Sequence, residues 1–264
     1  MSARKEANAI VAIAARDLLV LRRDWKANLA FSFFFPIAFL GLFGGLIGQN
    51  LAGGLPFNFL QFAFVGLVAC MMAQYTMMNV TTLVQERETG FTQEIFVAPV
   101  SRFSIISGKI LGGSAAGLLE ITPFFVVAWA FGAPLSSALV SGILWVTPFA
   151  LLLGGAMGVL LSGIFATSPK AVDQAVIMVM FPQMFLSGAV IPISHSSGVL
   201  EVLVRLMPAT YLVDLMRTAA YRGTSVYGPL QLYAPWVDFV VLLAVSAAFF
   251  VAGTLLFASR ERNR

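Results

Sequence analysis

Residues 141–165 read SGILWVTPFALLLGGAMGVLLSGIF. The stretch holds no aspartate, glutamate, lysine or arginine, and about 20 apolar residues are enough for a helix to cross the hydrocarbon core of a bilayer. Lipid offers no partner to a free backbone N–H or C=O, so a crossing segment is either a helix or a strand of a closed barrel. Apolarity here is continuous rather than alternating with a period of two, which selects the helix. Working outward, five further windows of the same kind lie at 29–48, 57–84, 110–131, 174–193 and 236–259. The fold expected is all-α and integral to the membrane, with six transmembrane helices.

Composition agrees. Of 264 residues, 59% are hydrophobic and only 11% charged, with a mean hydropathy of +0.90, whereas soluble domains carry about 25% charge. These values exclude an ordinary soluble enzyme and a disordered chain. Cys70 is the single cysteine and sits in an apolar run, so no intramolecular disulfide scaffold exists. The net charge of +4 does not point to nucleic acid, because the basic residues follow membrane topology instead. With the N-terminus inside, 13 of the 16 lysines and arginines fall on the cytoplasmic side, and only Arg205, Arg217 and Arg222 fall outside. That bias places both termini in the cytoplasm.

The connections carry their own signals. Residues 1–28 are expected to be cytoplasmic or interfacial. Over 8–26, Ile10, Ala14, Leu18, Leu21 and Trp25 recur at steps of three or four with Arg16, Arg23 and Lys26 opposite, the pattern of an amphipathic helix lying among lipid headgroups. Arg16 and Asp17 interrupt the run too early for a signal peptide. Asp17 and Asp24 fall at the edge of the apolar face, either solvated or facing a cytoplasmic partner. The cytoplasmic connection 85–109 holds a short helix that Thr92 starts and Pro99 ends. The external connection 192–235 is too long for a hairpin. Its Val199, Leu200, Leu203, Leu206 and Met207, then Pro208, then Tyr211, Leu212, Leu215 and Met216 read as two re-entrant helices. A tail of 260–264 ends the chain.

No catalytic chemistry emerges. A phosphate-binding loop needs G-x-x-x-x-G-K-[ST], but Gly108-Lys109 is followed by Ile110 and preceded by Phe103 in the first glycine's place. Ser114 and His195 belong at opposite membrane faces, too far apart for a nucleophile and its base. One histidine, one cysteine and scattered carboxylates give no metal site. Glu120 is the one acid well inside a span, and such carboxylates are functional suspects by default. Three roles stay open for it: pairing with Gln74, Tyr75 or Asn79 on the neighbouring helix, contact with a substrate or pathway water, or proton coupling in an ion-coupled secondary transporter. Gly108, Gly112, Gly113 and Gly117, Gly41, Gly44, Gly45 and Gly48, and Gly154, Gly155 and Gly158 are read as small residues that permit close helix packing.

Taken in order along the chain, several motifs resemble the membrane subunits of ABC exporters of the type-2 permease family. After the second span stand Glu86-Arg87-Glu88, Gly90, Glu94, Pro99, Arg102 and Gly108-Lys109; the fifth span ends in Leu186-Ser187-Gly188 and Pro192; the external part carries Pro208, Tyr211 and Arg217. Phe91 departs from the threonine common after the glycine. The resemblance implies a homodimer, or a heterodimer with a similar chain, bound to two copies of a separate cytoplasmic ATPase subunit that holds the ATP and magnesium, with no cofactor in this chain. Glu86, Arg87, Glu88, Gly90, Phe91, Glu94, Ile95, Phe96 and Pro99 would form the coupling segment seated in the ATPase, with Phe91, Ile95 and Phe96 as apolar anchors. Glu120, Gln74 and Asn79 become candidates for the substrate pathway. The expected setting is the inner or cell membrane of a bacterium or archaeon, and the expected cargo an amphipathic drug, lipid or glycan.

Overall fold

A computed structural model describes residues 3–23, 25–47, 57–88, 101–166, 168–193, 197–224 and 227–262. Helices α1 (Ala3–Arg23) and α2 (Trp25–Phe39) lead, and α2 continues as a π-helical segment, Leu40–Ile47. Then come α3 (Phe59–Glu88), α4 (Arg102–Ala130), α5 (Ser137–Ile164) and α6 (Pro169–Leu186). The short α7 (Val199–Leu206), α8 (Pro208–Ala220) and α9 (Tyr227–Leu230) precede the last long helix, α10 (Pro235–Arg262). Among the described residues α3, α4, α5 and α10 are long and apolar enough to cross a membrane, and Ser32–Leu42 is a shorter apolar helix.

Burial orders these helices. The apolar window of α3 is 83% buried and that of α10 only 22%, so α3 is the axis of the bundle and α10 presents its flank outward. Helix α3 packs on α4, α5, α6 and α8, and α10 lies along α5. The close approach of α5 to α3 depends on Gly154, where any side chain would run into the Ala73 backbone. Phe62, Phe64, Leu67, Met71 and Met72 of α3 form the centre of the main core with Phe124, Ile143, Leu153 and Met184.

Local signals set the helix boundaries. Ser101, Ser136 and Ser168 each accept a hydrogen bond from the N–H three residues on and start α4, α5 and α6, as N-cap serines do. The predicted third span opens at 110, yet α4 opens at Arg102, because the capped helix carries its first two turns past the apolar region. The predicted fifth span runs to 193, yet α6 stops at Leu186. Gly188, at φ +79°, takes the left-handed backbone that glycine adopts without strain, and it turns the chain although apolar residues continue.

The connection 192–235 contains two helices, α7 and α8, where two were expected from the spacing of its apolar residues, with Pro208 in the first turn of α8. Tyr211 Oη donates to the Arg205 carbonyl at 2.9 Å, and its ring stacks on Tyr233 at 5.3 Å. Arg217, placed in the external segment by sequence, points inward. Its Nη2 donates to the Gly188 and Ala189 carbonyls at 2.6 and 3.2 Å, and its guanidinium lies 3.6 Å over the Phe62 ring. It thereby fastens α8 to the turn after α6 and to the top of α3.

Candidate functional site

Helix α3 has 30 residues, about 45 Å at 1.5 Å per residue, against a hydrocarbon core of about 30 Å. Its last turn therefore projects beyond the apolar layer, and that turn carries Glu86. Lys109 of α4 reaches the same place. Its ammonium donates to Glu86 Oε1 at 2.8 Å, Asp17 Oδ1 at 3.1 Å and Thr82 Oγ1 at 3.1 Å. Arg16 Nη1 adds bonds to Glu86 Oε1 at 2.8 Å and Asp17 Oδ1 at 3.3 Å. The Lys109 side chain is 2% exposed, Asp17 12% and Glu86 16%, so this is a shielded ion cluster. Burial pushes the Asp17 carboxyl above its ordinary value, with Lys109 opposing the shift.

Helix α1 is drawn in by the same contacts. At Gly108 a methyl group would meet Ile13 Cβ at 2.9 Å, and at Gly112 it would meet Asp17 Cβ at 2.9 Å, so two glycines of α4 let α1 lie against it. One turn earlier, Glu6 accepts from the Ser101 N–H at 3.2 Å, lies 3.0 Å from Ser101 Oγ, and bonds Ser104 Oγ. The Ser104 and Ser101 hydrogen bonds hold the Glu6 carboxyl below its ordinary value. The packed stripe of α1 is therefore Ile10, Ile13, Ala14 and Asp17, rotated from the expected one. Val11, Leu18, Leu19 and Val20 face out, as suits contact with lipid. Asp17 is not a solvated charge: it serves the cluster.

The cluster brackets the connection that sequence marks for coupling. Glu86 stands at its start and Ser101, Ser104 and Lys109 toward its end. Arg87 and Glu88 end α3, whereas Gly90, Phe91, Glu94, Ile95, Phe96 and Pro99, like His195, lie outside the described residues.

A second feature adjoins the first. A cavity of about 610 Å³ opens between α2, α3, α4 and α6. Its lining on α3 runs from Met71 to Gln85, about 21 Å along the helix, and includes Thr82, the residue held by Lys109. The three candidates named from sequence, Gln74, Asn79 and Glu120, all line it, together with Asp173, Tyr75, Met78 and Met180. The expected pairing of Glu120 with the neighbouring helix is not made. Gln74 Nε2 donates to the Met180 carbonyl at 3.2 Å, Asn79 Nδ2 donates to the Tyr75 carbonyl at 2.9 Å, and Glu120 makes no hydrogen bond or ion pair among the described residues. Asp173 accepts from Gln85 Nε2 at 3.1 Å.

Helices joined by a shielded ion cluster next to an intramembrane cavity are the parts of a membrane transport subunit, and comparison with known proteins identifies the kind. The family model described as ABC-2 type transporter matches residues 8–221. The chain belongs to the ABC-2 type transporter family. Among relatives of this ABC-2 permease is the "Inner membrane transport permease YhhJ" of Escherichia coli, 26% identical over 201 residues that cover 74% of this chain and 52% of the relative. "Inner membrane transport permease YadH" of the same organism is 26% identical over 220 residues, 79% of this chain and 81% of the relative. "ABC transporter G family member 20" of Dictyostelium discoideum is 24% identical over 209 residues, 78% and 28% of the two chains. The chain spans about half the length of YhhJ and less of the Dictyostelium protein. The match takes in the ion cluster, the cavity and the Arg217 anchor alike.

Proposed function

We propose that the chain is the transmembrane subunit of an ATP-driven exporter, which moves an amphipathic drug, lipid or glycan outward across a bacterial or archaeal inner membrane. A separate cytoplasmic ATPase subunit, in two copies, supplies the energy, binding ATP and magnesium itself. The permease works as a homodimer or beside a similar chain. It crosses the membrane six times with both termini inside, α2 with its π segment and α6 being the two spans besides α3, α4, α5 and α10. The segment 91–98 is the coupling helix, with Phe91, Ile95 and Phe96 as its anchors.

One observation carries this reading. Lys109 binds Glu86 and Asp17, so the helices on either side of the connection 89–100 and helix α1 are tied at one point, and through Thr82 that point touches the cavity wall. A push delivered by the ATPase to the connection moves α1, α3 and α4 together, and the α3 wall of the cavity moves with them.

The test is co-purification of the permease with its ATPase subunit and measurement of transport-coupled hydrolysis in lipid. Replacing Phe96 with Ala should weaken the complex by about 1 to 3 kcal/mol, the range of an interface hot spot, and Glu88→Lys should uncouple hydrolysis from transport. Unchanged association and transport in both would move the coupling site elsewhere. The unpartnered Glu120 carboxylate supports a second reading, an ion-coupled secondary transporter. Transport driven by a pH gradient in vesicles that lack ATP and the ATPase would establish that reading and overturn the exporter.

A further inference from the structure

We infer that the cavity between α3, α4 and α6 is a binding site for an amphipathic organic cation. This narrows the cargo of the exporter proposed above and rests on that reading for its role in transport. The cavity is of drug-site size, since such sites run from about 300 to 1,000 Å³, and its volume is about 610 Å³.

The sign of its charge is the first reason. Glu120 and Asp173 line it, and among the described residues no lysine, arginine or histidine does. Lys109 and Arg16 are engaged with Glu86 and Asp17 at 2.8 to 3.3 Å, and among the described residues neither cavity acid forms an ion pair. A carboxylate partly removed from water is costly unless a cation or donors attend it, and the half-buried Glu120 has neither among the described residues. The second reason is independent of these acids. Gln74 is 6% exposed and lines the cavity; its amide nitrogen is taken by the Met180 carbonyl, while its Oε1 is buried with no donor. A buried acceptor left open asks for an electropositive group. The third is the apolar wall. Phe35, Tyr75 and Phe181 line the same space, and aromatic faces attract cations while accepting the hydrocarbon of the ligand. An anionic cargo would meet Glu120 with repulsion, and a neutral one would leave its charge unbalanced.

The test uses the full chain in lipid nanodiscs without ATPase, so that its failure leaves the ATPase-association experiment untouched. Tetraphenylphosphonium and tetraphenylborate have nearly the same shape and opposite charge. Equilibrium dialysis, corrected for protein-free discs, should show saturable binding of the phosphonium that the borate does not displace. Glu120→Gln should weaken it roughly tenfold, the scale of losing one partly desolvated charge contact, with Glu120→Asp retaining more than the amide. Equal binding of the two ions to the wild type overturns the inference even if a variant fails to fold. Unchanged affinity in folded Glu120→Gln and Asp173→Asn, each checked by its thermal midpoint, overturns it as well.

Discussion

Lys109→Met is the sharpest perturbation of the cytoplasmic cluster. The side chain keeps its length and apolar stem but removes the ammonium that touches Glu86 at 2.8 Å and Asp17 at 3.1 Å. Breaking a buried ion pair by deleting one partner costs about 3 to 5 kcal/mol, because the other charge stays buried without compensation. Arg16 still bonds Glu86 at 2.8 Å and is 31% exposed, so the carboxylates keep a cation beside them and the lower figure, about 3 kcal/mol, applies. For a chain of this size that corresponds to a drop of about 6 to 12 °C in thermal midpoint. The double variant Lys109→Met with Glu86→Gln removes one charge of each sign and should recover much of the loss. The penalty also depends on pH in a stated direction. Asp17 already titrates above its ordinary value because it is buried, and without Lys109 the main charge opposing that shift is gone, leaving the Arg16 contact at 3.3 Å. Its folded pKa then lies above its unfolded one, so the penalty grows as pH rises through the folded value and shrinks as acid protonates the carboxyl. Midpoints of the four proteins of the double-mutant cycle, measured at pH 5 and pH 8, check this. Strict additivity of the two substitutions, or a midpoint within 1 to 2 °C of wild type for Lys109→Met, would refute the clamp.

Other outcomes follow from particular contacts. A cysteine at Ser197 should react with an impermeant reagent added outside intact cells and one at Lys170 should not, since 13 of 16 basic residues set that orientation; labelling of both from one side would remove the six-span topology. Arg217→Lys should lower the thermal midpoint although charge is kept, because an ammonium cannot donate to the Gly188 and Ala189 carbonyls while lying flat on the Phe62 ring; an unchanged midpoint would show that the fork is dispensable. Gly154→Leu should prevent accumulation of folded protein, since its side chain has to displace the Ala73 backbone. Glu6→Gln should loosen α1 from α4, and in the wild type the same loosening should appear as pH falls below the ordinary glutamate value of 4.5, because a carboxyl with a lowered folded pKa loses its contribution on protonation; cross-linking between α1 and α4 measures both.

The apolar windows were readable because lipid leaves so little choice. Residues 141–165 became Ser137–Ile164, and 236–259 became Pro235–Arg262. Departures came where composition and backbone disagree. A hydropathy scan halts at Lys109, but the helix runs on down to its Ser101 cap; the scan continues past Gly188, but the chain turns there. The pairing of Lys109 with residues 92 and 23 positions away left no local trace beyond a lysine at the edge of an apolar run. Gln74, Asn79 and Glu120 were singled out as polar residues in apolar helices, and they do meet at one cavity. Whether they would bond one another depended on helix phase and rotamer, which spacing alone does not encode.

The acceptors of Lys109 are Asp17, Thr82 and Glu86, and every one of them is synthesised before it. When the helix that carries it leaves the ribosome, the lysine at its base emerges toward partners already made. The junction therefore closes in a fixed order, and its closure marks the moment at which the first three long helices become a unit. A nascent chain halted before residue 109 lacks the ammonium that joins α1, α3 and α4, and one that extends beyond it carries every group of this junction.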